Sequence, residues 1–129
     1  MNAQDSPITI GKLKGKDAID QLFKHGKKIN SGLVLFRHLI IEQPTFSLNI
    51  GVSAPKKILP KAVDRNKVKR LLREAVRLNE QKFNFLQSKN ISLNGIFLYH
   101  GTLPVDFELI CLNVNKIVTQ LTETLEIDK

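Results

Sequence analysis

Residues 46 to 78 read FSLNIGVSAPKKILPKAVDRNKVKRLLREAVRL, and the change of period inside this stretch decides the fold. Phe46, Leu48, Ile50 and Val52 alternate with small or polar residues up to Ser53, the period of two that marks a half-buried strand. Pro55 and Pro60 then bracket an extended basic loop. A long helix is predicted to start between Ala62 and Arg65 and to run to about Leu86. On a wheel of about 100° per residue, Val68, Leu71, Leu72, Ala75 and Leu78 share one side. Arg65, Lys69, Arg73 and Arg77 share another, with Asn66 and Arg70 among them and Val76 at the border.

Charge is concentrated in the same stretch. The chain has 129 residues, 20 basic and 12 acidic, for a net +8. Lys56, Lys57, Lys61, Arg65, Lys67, Lys69, Arg70, Arg73 and Arg77 face only Asp64 and Glu74, so this segment alone carries +7. The rest of the chain is close to neutral. A helix face shaped only for solubility intersperses signs, whereas Arg65, Lys69, Arg73 and Arg77 are like charges at four-residue spacing, each pair mildly repulsive. The pattern points to a polyanion, and arginine forks suit phosphate and base edges. Asn66 can donate and accept, so it suits a base edge, a ribose hydroxyl or a metal-bound water. Glu74 is expected to pair with Arg70.

Outward from this core, residues 1–11 read as a loose tail. Lys16 to Gly26 reads as a short helix with Ala18, Ile19, Leu22 and Phe23 on one face and Gly26 closing it. Leu33–Ile41 and Phe46–Ser53 read as strands, joined by the turn Glu42–Thr45 into a hairpin. Ser88 to Asn94 reads as a polar loop and Gly95–His100 as a short buried strand. Asp106 to Leu125 reads as a helix, with an interruption near Asn113 left open. This order predicts one α/β domain, 1–129, with a small central sheet packed with helices. Phe23 and Phe36 are candidates for stacking on unpaired bases, or else core residues.

Several chemistries lack their residues. A single cysteine, Cys111, allows no internal disulfide and lies among apolar neighbours, as a buried inert thiol would. His25, His38 and His100 are scattered, with no zinc-ligand spacing. No glycine-rich phosphate loop occurs. No run approaches a membrane span and no signal-peptide pattern opens the chain, so a cytoplasmic protein is expected.

The stretch Gly51–Glu74 resembles the signature of the bacterial ribonuclease P protein component: a Ser-containing strand, a Lys-Lys pair, Ala62-Val63, Arg65-Asn66-Lys67, Lys69-Arg70 and Arg73-Glu74, in register. Phe23-Lys-His-Gly26 is similar to the end of that family's first helix. The third residue of the Arg-Asn-Arg box is Lys67 here, and the loop Ile58–Lys61 is one residue longer than the common form. Ile19 stands where the family often has a phenylalanine.

The resemblance implies a ribosomal-protein-S5-domain-2-like α+β sandwich with a left-handed βαβ crossover. It implies a non-catalytic protein subunit of an endoribonuclease whose RNA subunit removes the 5′ leader from precursor tRNA, with Mg2+ held mainly by that RNA. The partners implied are the ribonuclease P RNA and precursor tRNA, with no membrane and no obligate protein partner. Arg65, Asn66, Lys67, Lys69, Arg70 and Arg73 would face the catalytic RNA; Lys61 and Arg77 extend the same surface. Ser53, Lys56, Lys57 and Phe23 would line a leader cleft, joined by Phe36 or Arg37 according to alignment. Arg65→Ala and Arg70→Ala are each expected to lower the salt dependence of RNA binding. The alternatives are a ribosomal-type structural RNA binder and a dimeric DNA-binding regulator.

Overall fold

The alternation from Phe46 onward becomes a strand in the computed structural model, which describes residues 10–127. The strands are β1 (Gly11–Lys12), β2 (Lys27–Ser31), β3 (Val34–Ile41), β4 (Leu48–Ser53) and β5 (Ser92–Tyr99). The α-helices are α1 (Lys16–His25), α2 (Ala62–Leu78), α3 (Asn84–Ser88) and α4 (Phe107–Ile127), with a 3₁₀ turn at Glu80–Phe83. One sheet in the order β1-β4-β5-β3-β2 unites all the strands.

The expected hairpin of Leu33–Ile41 with Phe46–Ser53 does not form. β5 lies between them, antiparallel to β3 and parallel to β4. Nearly every β5 residue is buried, as a central strand covered on both faces requires. A parallel β4–β5 pair needs a crossover, and α2 with α3 supplies it. β3 pairs instead with β2 across Gly32–Leu33. The sequence reading missed β2 because KKINS is mostly polar; lysines suit an exposed edge strand.

Polarity also misplaced the start of β5. Ser92 and Asn94 are strand residues, buried because they are hydrogen-bonded: Ser92 Oγ accepts from Ser47 N (2.9 Å) and Asn94 Oδ1 from Asn49 Nδ2 (3.0 Å). The long helix ends at Leu78 rather than Leu86. Asn79 turns the chain, its Nδ2 donating to Ala75 O (2.8 Å). α4 is continuous through Asn113, whose Oδ1 accepts from Leu33 N (2.9 Å). Gly32 makes that contact fit, with φ 55° and Asn113 2.7 Å from where a Cβ would stand. The N-terminal tail is shorter than the sequence suggests: Ile10 packs on the core and Gly11 pairs with Asn49, while residues 1–9 lie outside the described ones.

The sheet has two unlike faces. Val34, Phe36, Leu48, Leu93, Phe97 and Tyr99 form one, packed under Val68, Leu72 and Ala75 of α2 and Ile110, Val114 and Ile117 of α4. α1 contacts β3 and β5 and lies against the other face, the one that carries Arg37, with Leu22 fully buried.

Candidate nucleic-acid interface

Local chemistry shapes the basic segment before any ligand is considered. Ala54 and Leu59 are buried and anchor the loop, and the N–H groups of Ile58 and Leu59 both donate to Pro55 O. The turn leaves Lys56, Lys57 and Lys61 exposed. α2 then begins at Ala62 with no side-chain cap, so its first-turn N–H groups add a partial positive charge beside these lysines.

Packing selects which face of α2 is open. Val68, Leu72, Ala75 and Val76 point inward, while Asn66, Lys67, Arg70, Arg73 and Arg77 are exposed. Lys69 and Arg65 are half-buried, so the open stripe is rotated from the Arg65-Lys69-Arg73-Arg77 row. Arg65, expected to face the catalytic RNA, also makes hydrogen bonds within the chain. Its Nη1 donates to Leu59 O (2.9 Å) and Pro60 O (2.6 Å), clamping the loop to the helix.

Glu74 pairs with Arg77, three residues on, not with Arg70. Their hydrogen bond, more than their charges alone, lowers the Glu74 pKa and raises that of Arg77. Lys56, Lys57, Lys61, Lys67, Arg70 and Arg73 have no ion-pair partner among the described residues. The interface is therefore a field of open cations fixed on a rigid helix and a clamped loop.

The other sheet face holds the remaining candidates. Phe23 is 42% exposed, and the Arg37 guanidinium lies 4.8 Å from its ring centroid. Arg37 Nη1 also reaches Phe23 O at 3.4 Å. Ser53 is half-buried at the end of β4, on the face shared with Arg37. Phe36 is not on this face. It is fully buried and stacked on Phe97 (4.3 Å between centroids), because strand alternation turns it inward when Arg37 turns outward. Its place in a leader cleft is thus corrected to a core position.

Lys12, Lys14 and Asn49 were missed as candidates. Lys14 and Asn49 border a cavity with Asn94 on the Arg37 face, and Lys12, in register with Ile50, lies at the sheet edge between the two faces; the recurrence of lysine at 12, 14 and 16 was the available signal. Cys111 is half-buried, and burial followed by nearby Glu74 and Glu108 raises its thiol pKa. Among the described residues, no three of His, Cys, Asp or Glu come together as a metal cage would require. No described helix is long and apolar enough to cross a membrane.

Three comparisons place this geometry among known proteins. The family model "Ribonuclease P" matches residues 10–122. The ribonuclease P protein component of Porphyromonas gingivalis is 34% identical over 112 residues, 81% of this chain and 82% of that protein. That of Chlorobaculum tepidum is 38% identical over 71 residues, 52% of this chain and 46% of that protein. The alignments to the first relatives span about half of those proteins' length. The solved RNase P protein of Thermotoga maritima is similar in fold, with a TM-score of 0.66 at 19% identity, covering 84% of this chain and 96% of that one.

Proposed function

This chain belongs to the ribonuclease P protein family, and on that premise we propose that it is the protein subunit of a ribonuclease P. It binds the catalytic RNA and the single-stranded 5′ leader of precursor tRNA, and the RNA performs the cleavage. The observation that carries this is the open cationic face on α2. Lys67, Arg70 and Arg73 are held by a buried apolar face and have no carboxylate partner among the described residues.

In this reading the two parts of the basic segment act differently. Arg70, Arg73, Lys67 and Asn66 meet the folded RNA, where arginine forks bind phosphates bidentately. Lys69 and Arg77 border that contact. Arg65 acts through the loop, holding Lys56, Lys57 and Lys61 in place. The leader lies along Phe23, Arg37 and Ser53, where an exposed ring and a guanidinium offer stacking surfaces to unpaired bases. In this reading Mg2+ is held mainly by the RNA, and Asn66 on the exposed face of α2 offers a single side-chain oxygen, which suits a metal-bound water rather than a cage.

Reconstitution tests the proposal. With the matching RNA at low magnesium, adding the protein is expected to raise precursor-tRNA cleavage and to favour precursor over mature tRNA in binding. Tight RNA binding with neither effect would leave a structural RNA-binding protein instead.

A further inference from the structure

Between the C-terminal half of α2 and the outer edge of the sheet lies a cavity of about 780 Å³. We infer that it is a subsite for one unpaired nucleotide of the catalytic RNA, with the base on its apolar floor and the phosphate between Lys12 and Arg73. The inference rests on the RNA-binding reading above. It carries that contact from α2 across to β1 and β4, away from the Arg37 face assigned to the leader.

An unfinished sheet edge carries the argument. β1 spans two residues and pairs with β4 only at Asn49 and Ile50. Gly51, Val52 and Ser53 pair with β5 on one side and, among the described residues, with no strand on the other. A bare edge of this kind offers backbone donors and acceptors that call for cover. Beside it the cavity floor is apolar. Ile50 and Val76 are buried, at 9% and 6% exposed, whereas Ile10, Leu13 and Val52 are only half-buried and line the same opening. A flat base can cover that floor and turn its polar edge to the strand backbone.

The rim is cationic. Lys12 enters from β1, and Arg73 and Arg77 enter from α2, one turn apart. Lys12 and Arg73 are exposed and have no ion-pair partner among the described residues. Arg77 is held by Glu74 and feels Glu80 as well, which leaves the other two cations for a phosphate. Glu80 is the single carboxylate of the lining. It only accepts, so it suits the N–H donors of a base edge and opposes a second phosphate. The volume admits one nucleotide and is too small for a duplex. An extended acidic peptide could also pair with the strand edge. RNA is favoured because Arg73 belongs to the exposed stripe of α2, so the cavity opens at the border of the RNA contact itself.

The test uses the full-length protein with the matching ribonuclease P RNA. A photo-crosslinker is attached to Lys12→Cys in a Cys111→Ser background, which leaves one thiol. Lys12 is exposed, so substitution there keeps the fold. The label is expected to mark one unpaired nucleotide. Removing that base, with its sugar and phosphate kept, should weaken the wild-type complex roughly tenfold. Equal affinity for intact and abasic RNA, or labelling confined to duplex regions, would overturn the subsite. So would a label at position 12 that yields no RNA adduct while the same label on Val63→Cys, 77% exposed on α2, does. Loss of the position-12 adduct to excess free mononucleotide, with the RNA still bound, would overturn the RNA source and give the cavity to a soluble nucleotide. If neither position labels the RNA and no complex forms, the ribonuclease P reading itself fails.

Discussion

At the scale of single residues, His38 shows how burial overrides type. It is 4% exposed, stacks on Phe36 at 5.5 Å and leaves Nδ1 without a partner among the described residues. Desolvation first, and Lys27 second, push its pKa from 6.5 down to about 4. The unfolded chain therefore binds a proton that the folded chain refuses between those values. The associated stability is present above pH 6.5 and is lost as pH falls toward 4, a change on the order of 3 kcal/mol. Urea unfolding at pH 7 and pH 4.5 should show a larger acid loss in the wild type than in His38→Gln; equal losses would contradict the assignment. Nothing in the sequence around His38 announced this, since alternation in β3 places it inward only once the register with β5 is known.

At the scale of elements, α2 and its loop form one unit. The period of the apolar residues revealed the helix and its core face. It did not reveal that Arg65 bends back to the Leu59 and Pro60 carbonyls, because hydrogen bonds to a loop leave no periodic trace. This separates two arginines that looked equivalent. Arg65→Ala should destabilise the protein by about 1–2 kcal/mol through the lost clamp and change the salt dependence of RNA binding little. Arg70→Ala should leave stability within about 0.5 kcal/mol and lower the salt slope by about one. Parallel denaturation and salt titrations of the two variants check this, and a slope change in Arg65→Ala as large as in Arg70→Ala would count against the clamp. The helix end was equally hidden: Asn79 caps Ala75 with its own side chain, whereas the apolar pattern continues through Phe83 and Leu86.

At the scale of the whole molecule, the sheet separates a packed face from an open one. Phe36→Ala should cost about 3–5 kcal/mol of stability while leaving leader affinity of the folded protein intact. Phe23→Ala should cost little stability and weaken leader binding by about 1–3 kcal/mol. Chemical denaturation and leader-dependent binding, measured on both, would sink this division if the two effects were exchanged. Sequence alone determined the α/β class, the amphipathic basic helix, the segment carrying +7 and the family resemblance, because charge, period and motif are local properties of the chain. Only the tertiary structure decided that β5 separates β3 from β4, that Phe36 is core while Arg37 lies half-buried against Phe23 on the other face, and that Arg65 bonds to the loop. Those facts depend on which strand pairs with which, and pairing is settled by burial of Leu93–Tyr99 between distant segments rather than by any residue's neighbours in the chain.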